Sequence, residues 1–224
     1  MNNNDIDVSK KNNTTEKEYW DNYYNVGKDH HYPSSFSKFC LENYLIQPSK
    51  ILDLGCGNAR DSFYFAKNGH NVVGIDYSTV VIDQNCKLSK ELNLSGSTTF
   101  KASSFSIDLQ NYIDFNAVYS RFSMHTISYN EQQKVTNDVY RLLVKGGLFF
   151  IECRTINDFS YLKGKKLSEF ERYTDHYRRF IDSTNFLSEL IQKGFVVKFF
   201  CESKDLAVLD SENPIVARYV LEKF

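Results

Sequence analysis

The stretch ILDLGCGNARD, residues 51–61, decides the reading of this chain. A short apolar run ends in two glycines separated by one residue. Glycine has no Cβ, so a Gly-x-Gly at the end of a strand lets the backbone turn sharply and approach a ligand closely. Asn58 follows as a helix N-cap. Asp53 lies inside the strand, two residues before Gly55, and Asp76 ends the next strand, 19 residues after Gly57. A carboxylate at that second position is suited to accept hydrogen bonds from the hydroxyls of a ribose. The dinucleotide fingerprint G-x-G-x-x-G/A needs a small third residue, where helix and strand pack closely beside a pyrophosphate. Here that place holds Arg60, and the acidic Asp53 would repel a pyrophosphate. The turn suits a nucleoside ligand that carries positive charge at its far end.

Outward from this turn the chain alternates. Strands are expected at 50–55, 71–76, 98–103, 115–122 and 147–154, and helices at 58–68, 79–92 and 130–143, with Gly69 and the pair Gly146-Gly147 as stops. Residues 155–180 read as polar and irregular. A helix at 183–193 and two strands at 195–203 and 215–224 complete the pattern. Continuous apolar strands between helices predict a doubly wound α/β fold whose mostly parallel sheet is buried on both faces. The closing hairpin adds an antiparallel strand. Residues 1–17 (Asn-, Lys- and Thr-rich) read as a mobile tail and 18–49 as a helical cover. The core is then 50–154, the acceptor-side insertion 155–182, and the final helix and hairpin 183–224, all within one domain.

The bulk numbers limit the alternatives. The 224 residues carry a formal net charge of −1 and are 42% hydrophobic, ordinary for a globular domain and without the basic balance of a nucleic-acid or membrane-surface binder. The five cysteines stand apart, with no C-x-x-C, which argues against a disulfide framework or a zinc site and for reduced thiols in the cytoplasm. No apolar run is long enough for a membrane span, and the N-terminus lacks the apolar region of a secretory signal.

DLGCGNARD followed by GIDYS resembles the cofactor-binding half of the class I S-adenosylmethionine-dependent methyltransferases, over about residues 50–154. The resemblance implies a seven-stranded sheet with an antiparallel last strand, S-adenosylmethionine as cofactor, S-adenosylhomocysteine as product, and no metal. It places Asp53, Gly55, Cys56, Gly57 and Arg60 at the methionine end and Asp76 on the ribose. Tyr77 would lie over the adenine. Ser103, Ser104 and Phe105 border the adenine where the family often has an acidic residue, and Ser120 and Arg121 end the fourth strand. Trp20, Tyr23 and Tyr24 resemble the W-D-x-x-Y helix that closes over the cofactor in small-molecule methyltransferases, with Tyr19 beside them as a further cofactor-binding candidate; packing of the cover onto the sheet explains these aromatics equally well.

Nucleic-acid adenine methylases of this superfamily carry an acidic residue or Asn, then Pro-Pro and an aromatic residue, after the fourth strand. This chain has Ser120-Arg121-Phe122, which disfavours nucleic acid as acceptor. His125 and His176 are the candidate bases, or else hydrogen-bonded structural histidines. Tyr32, Arg121, His125, Arg154, His176, Tyr177, Arg178 and Arg179 are the candidate acceptor-binding residues, with His30, His31 and Pro33 to Phe36 facing the same side. Arginine forks match carboxylate and phosphate oxygens, so a small anionic acceptor is expected. The competing reading is a solvated basic loop paired with Glu169, Glu171 and Asp175. SRFSMH and HYRRF together resemble bacterial methyltransferases of capsule and surface-polysaccharide biosynthesis, some of which act on phosphate or phosphoramidate groups. A carboxyl or amine methyltransferase, and a cofactor-binding regulator without catalysis, stay open at this point.

Overall fold

A computed structural model describes residues 8–26, 32–106, 108–209 and 212–224, with side chains from Glu16 onward. Helices α1 (Val8–Asn25) and α2 (Ser35–Asn43) precede β1 (Lys50–Leu54). The alternating unit follows as α3 (Arg60–Lys67), β2 (Asn71–Asp76), α4 (Thr79–Glu91), β3 (Thr98–Ala102), β4 (Phe115–Arg121), α5 (Tyr129–Leu142) and β5 (Leu143–Arg154). Short strands β6 (Lys165–Lys166), β7 (Glu171–Tyr173) and β8 (Tyr177–Arg179) come next, then α6 (Ser183–Gln192), β9 (Phe195–Ser203) and β10 (Val216–Lys223).

The main sheet has seven strands in the order β3-β2-β1-β4-β5-β10-β9, with β10 antiparallel to both neighbours. Strand β1 pairs in parallel with β2 on one side and β4 on the other. The strand order reverses at that junction, which opens a crevice at the carboxyl ends of the strands. The period-two alternation of side chains assigns the two faces. Ile51, Val72, Ala117 and Phe150 pack with Phe36 and Cys40 of α2 and Phe65 of α3. Leu52, Leu54, Val118 and Phe149 pack on the other face with Val135 and Val139 of α5 and Phe186 of α6. Serines cap α2 and α4, and Ser128 forms a capping box with Glu131 at the start of α5, satisfying otherwise orphaned helix N–H groups.

Four expectations are corrected. Helix α1 begins at Val8, inside the stretch expected as a mobile tail, while residues 1–7 lie outside the described residues. Helix α3 starts at Arg60 rather than near Asn58, because Ala59 is the N-cap residue in left-handed geometry (φ 56°). Gly146 and Gly147 do not stop α5: the chain turns extended at Leu143 and both glycines fall within β5. Residues 155–180 hold a three-stranded antiparallel sheet, β6-β7-β8, whose strands of two or three residues are too short to show a period. No helix among the described residues is long and apolar enough to cross a membrane.

Candidate active site

A cleft of 490 Å³ lies over the carboxyl ends of β1, β2 and β4 and is roofed by α1. At its floor the glycine turn hooks back onto β2, where the N–H groups of Gly55 and Cys56 both donate to the Ile75 carbonyl, at 2.8 and 3.0 Å. Gly55 and Gly57 have φ of 71° and 51°, a region side chains avoid. A Cβ on Gly55 would stand 2.6 Å from Ser123 Cβ, and one on Gly57 would stand 2.6 Å from the Tyr24 hydroxyl. Both positions therefore need glycine for space as well as for conformation.

Asp76 fixes the turn to the second strand. Its Oδ2 accepts from the Gly57 N–H and its Oδ1 from the Ser78 N–H, both at 2.9 Å. Asn85 on α4 donates to the Gly57 carbonyl at 2.8 Å. Sequence reading missed Asn85, which carries no motif. Asp53 is buried and accepts from Ser62 Oγ at 2.6 Å. Burial, reinforced by the neighbouring Asp61 and Asp76, pushes its carboxyl up to about 7. Burial also raises Asp76, against the pull of its backbone hydrogen bonds. The Tyr24 hydroxyl is raised by burial and by Asp76, Cys56 and Asp53.

Phe122 and His125 stand at the other end. Phe122 has φ of 55°, unusual for a bulky residue and often a mark of a functional turn. Its ring lies 4.6 Å from the Arg121 guanidinium and 5.7 Å from that of Arg154. Arg121 is committed to Glu152, Nε to Oε1 at 2.8 Å, and Glu152 also accepts from Arg218 at 2.6 Å. Arg154 pairs with Asp158 at 3.3 Å and Glu212 at 2.5 Å. Arg178 has a different environment. Its Nη2 donates to His176 Nε2 at 2.9 Å, and its Nε is buried without a hydrogen-bond partner among the described residues.

The histidines are engaged. His125 Nδ1 accepts from the Arg154 N–H at 3.3 Å, so the neutral ring carries its proton on Nε2. Burial, followed by the charges of Arg178 and Arg154, holds its pKa well below the usual histidine range. His176 bonds Asp175 Oδ1 through Nδ1 at 2.8 Å. Burial and the Arg178 charge lower it too. Each ring thus has its available lone pair taken by a donor.

Most of the expected site residues converge on this cleft: Tyr19, Trp20, Tyr24, Asp53, Gly55, Cys56, Gly57, Arg60, Asp76, Tyr77 and Phe105, together with Arg121, His125, Arg154, His176 and Arg178, which were expected to bind the acceptor. Phe122 and Ser123 line it too and were missed. Six expected residues do not line it. Ser103 bonds Asp108, Ser104 bonds Ser106, and Ser120 bonds Ser123 in the core. Tyr32 is 85% exposed. Tyr177 donates to Glu171 at 2.6 Å. Arg179 is buried against Gln132 and the Ile127 carbonyl, tying β8 to α5 and the segment before it. Ser34 is taken by Asp61 and Phe36 by the core, so neither faces an acceptor. His30 and His31 lie outside the described residues. Among the described residues no group of three or more His, Cys, Asp or Glu side chains is placed to hold a metal.

Residues 51–147 match a family model described as a methyltransferase domain. An uncharacterised methyltransferase of Synechocystis sp. is 28% identical over 115 residues, covering 51% of each protein, so the chain spans about half the length of that curated relative. A S-adenosylmethionine-dependent methyltransferase of Methanosarcina mazei superposes with a TM-score of 0.71 at 18% identity, over 82% of this chain and 96% of that one. The 1,6-didemethyltoxoflavin-N1-methyltransferase of Burkholderia thailandensis, solved with its substrate and S-adenosylhomocysteine, gives 0.70 at 16% identity over 94% and 88%. At these identities the structural likenesses speak for the fold. The fold, the methyltransferase-domain match over residues 51–147 and the acidic glycine turn agree, and in these features the chain is similar to S-adenosylmethionine-dependent methyltransferases.

Proposed function

We propose that the chain transfers the methyl group of S-adenosylmethionine to an oxygen of a small anionic acceptor. The observation that carries this reading is a single cleft with an acidic glycine turn at one end and, at the other, the Arg178 side chain, whose buried Nε has no hydrogen-bond partner among the described residues. The turn fits the cofactor. Asp53 faces the cleft where an ammonium would be met, and Asp76 stands at the second strand's end for the ribose. The bound cofactor supplies a methyl group already activated on sulfonium sulfur.

The residues then need to orient the acceptor and exclude water. Phe122, Trp20 and Tyr24 supply apolar walls, and Arg178 supplies a fixed positive fork. Neither cleft histidine offers a free lone pair as placed. An acceptor oxygen that is already ionised at neutral pH needs no proton removal, which favours a phosphate or carboxylate oxygen over an alcohol or amine. Its lone pair forms the new C–O bond while the electrons of the C–S bond pass to sulfur. A phosphate- or phosphoramidate-bearing precursor of a surface polysaccharide is the acceptor class that the SRFSMH and HYRRF segments suggest. Five unpaired cysteines accord with a cytoplasmic setting. The test is incubation with methyl-labelled S-adenosylmethionine and a panel of sugar phosphates, nucleotides, carboxylates, neutral alcohols and amines. Label in the anionic members alone is expected. Transfer only to a neutral acceptor overturns the reading, and tight cofactor binding without transfer to any class favours a regulatory binding protein.

A further inference from the structure

Helix α1 touches both ends of the cleft. Toward the cofactor end, Asp21 accepts from Ser78 Oγ at 2.6 Å and the Tyr24 hydroxyl lies against Gly57. Toward the acceptor end, Glu16 accepts from the Tyr177 N–H at 3.0 Å and the Tyr19 hydroxyl donates to Asp175 Oδ2 at 2.8 Å. The His176 ring stacks on Tyr19 (4.7 Å, 26°) and tilts against Trp20 at 5.2 Å. From Asp175 a continuous series runs inward: His176 Nδ1–H donates to Asp175 Oδ1, and Arg178 Nη2–H donates to His176 Nε2. The series ends at the Arg178 Nε, buried and without a hydrogen-bond partner among the described residues.

We infer that Asp175 and His176 are positioning residues that join the roof helix α1 to the Arg178 guanidinium, so that the acceptor's anion and the closed roof are held by one hydrogen-bonded unit. The inference rests on the anionic-acceptor reading above. Each member fixes the next. The Asp175 carboxylate holds the proton on His176 Nδ1, which leaves Nε2 as an acceptor, and Nε2 fixes the plane of the guanidinium. Arginine is long and rich in rotamers, and a fork already held in place loses less freedom when it meets an oxyanion. A buried N–H without a partner is costly, and an anionic oxygen removes that cost. Arg154 does not compete for this role, because Asp158 and Glu212 already balance it. An anion seated on Arg178 thereby favours the geometry in which Tyr19 and Trp20 cover the cleft.

The chain has a single tryptophan, and Trp20 emission therefore reports the roof directly. Inorganic phosphate serves as the probe, titrated into protein saturated with S-adenosylhomocysteine and followed by calorimetry and by Trp20 fluorescence. Wild-type protein is expected to bind phosphate with a change in emission. Arg178→Gln is expected to weaken phosphate at least about 10-fold, and Tyr19→Phe and His176→Ala about 3- to 10-fold, while S-adenosylhomocysteine affinity stays within about twofold. His176→Gln keeps an acceptor for Arg178 and is expected to recover phosphate affinity without the Trp20 response. If Arg178→Gln loses phosphate while Tyr19→Phe, His176→Ala and His176→Gln all behave as wild type, the coupling is overturned and the anionic reading stands. If wild-type protein binds no phosphate, or Arg178→Gln binds it equally, both fall together.

Discussion

Asp53 gives the sharpest test of the cofactor end. Its carboxyl is buried on the floor of the cleft and its pKa is pushed up to about 7 by burial, with Asp61 and Asp76 adding to the rise. An ammonium-bearing ligand meets the ionised form, so binding must first remove the proton whenever pH lies below that value. The apparent affinity of S-adenosylhomocysteine is then expected to fall about tenfold per pH unit below pH 7, about 1.4 kcal/mol each. Between pH 8 and pH 5 the loss approaches about 100-fold. Isothermal calorimetry across that range measures it. Two controls isolate the cause. Asp53→Asn should bind more weakly at pH 8 and lose most of the dependence, and 5′-methylthioadenosine, which lacks the amino-acid moiety, should bind with a much flatter profile. The stability of the free protein carries the opposite sign. A carboxyl raised in the folded state binds its proton more tightly there, so its contribution is full below about pH 4 and is lost as pH rises through about 7. Asp53→Asn should flatten that decline. An S-adenosylhomocysteine affinity that is constant from pH 8 to pH 5.5 would refute the argument that this carboxylate meets the ligand's charge.

Three further outcomes are expected. Glu152 is fully buried between Arg121 and Arg218, and Glu152→Gln leaves two guanidinium groups without a counter-charge, at about 3–5 kcal/mol, seen as a melting temperature lower by about 6–20 °C; the exposed Lys198–Glu222 pair should yield no more than about 1 kcal/mol on Glu222→Gln. Asp61 accepts from the Ser34 N–H and from the hydroxyls of Ser34, Ser37 and Tyr119 at 2.7–2.8 Å, and Asp61→Asn turns one acceptor into a donor, costing about 1–3 kcal/mol in urea unfolding. Gly57→Ala adds a Cβ at φ 51° against the Tyr24 hydroxyl, and should weaken S-adenosylhomocysteine by more than about 10-fold while changing Trp20 emission, with strain of about 1–2 kcal/mol from the left-handed backbone.

The glycine-turn end of the cleft was legible because its determinants are local. A buried parallel strand must be apolar on both faces, a turn with positive φ calls for glycine, and a carboxylate at a strand's end is placed by the strand itself. Leu52, Leu54, Gly55, Gly57 and Asp76 could therefore be read in order along the chain, and the parallel, doubly covered character of the sheet followed from the alternation of strand and helix. Elements of two or three residues carry no period, so β6 to β8 stayed hidden within a stretch that reads as polar and irregular. Ala59 is a poor cap by composition, and its left-handed geometry follows from how the turn packs.

The charged residues of the acceptor end were named by the sequence as types but not sorted by role. Arg121, Arg154, Arg178 and Arg179 look alike in one dimension. Folding gives Glu152 to the first, Asp158 and Glu212 to the second and Gln132 to the fourth, and it leaves the buried Nε of Arg178 without a hydrogen-bond partner among the described residues. The partners are remote: Tyr19 and Asp175 are 156 positions apart, and Arg218 and Glu152 are 66. The sequence by itself determined the sheet and the glycine turn, because backbone conformation and strand burial depend on neighbours along the chain. Only the tertiary structure decided which charges are balanced, because a charge is settled by whatever the fold brings within a few ångströms of it.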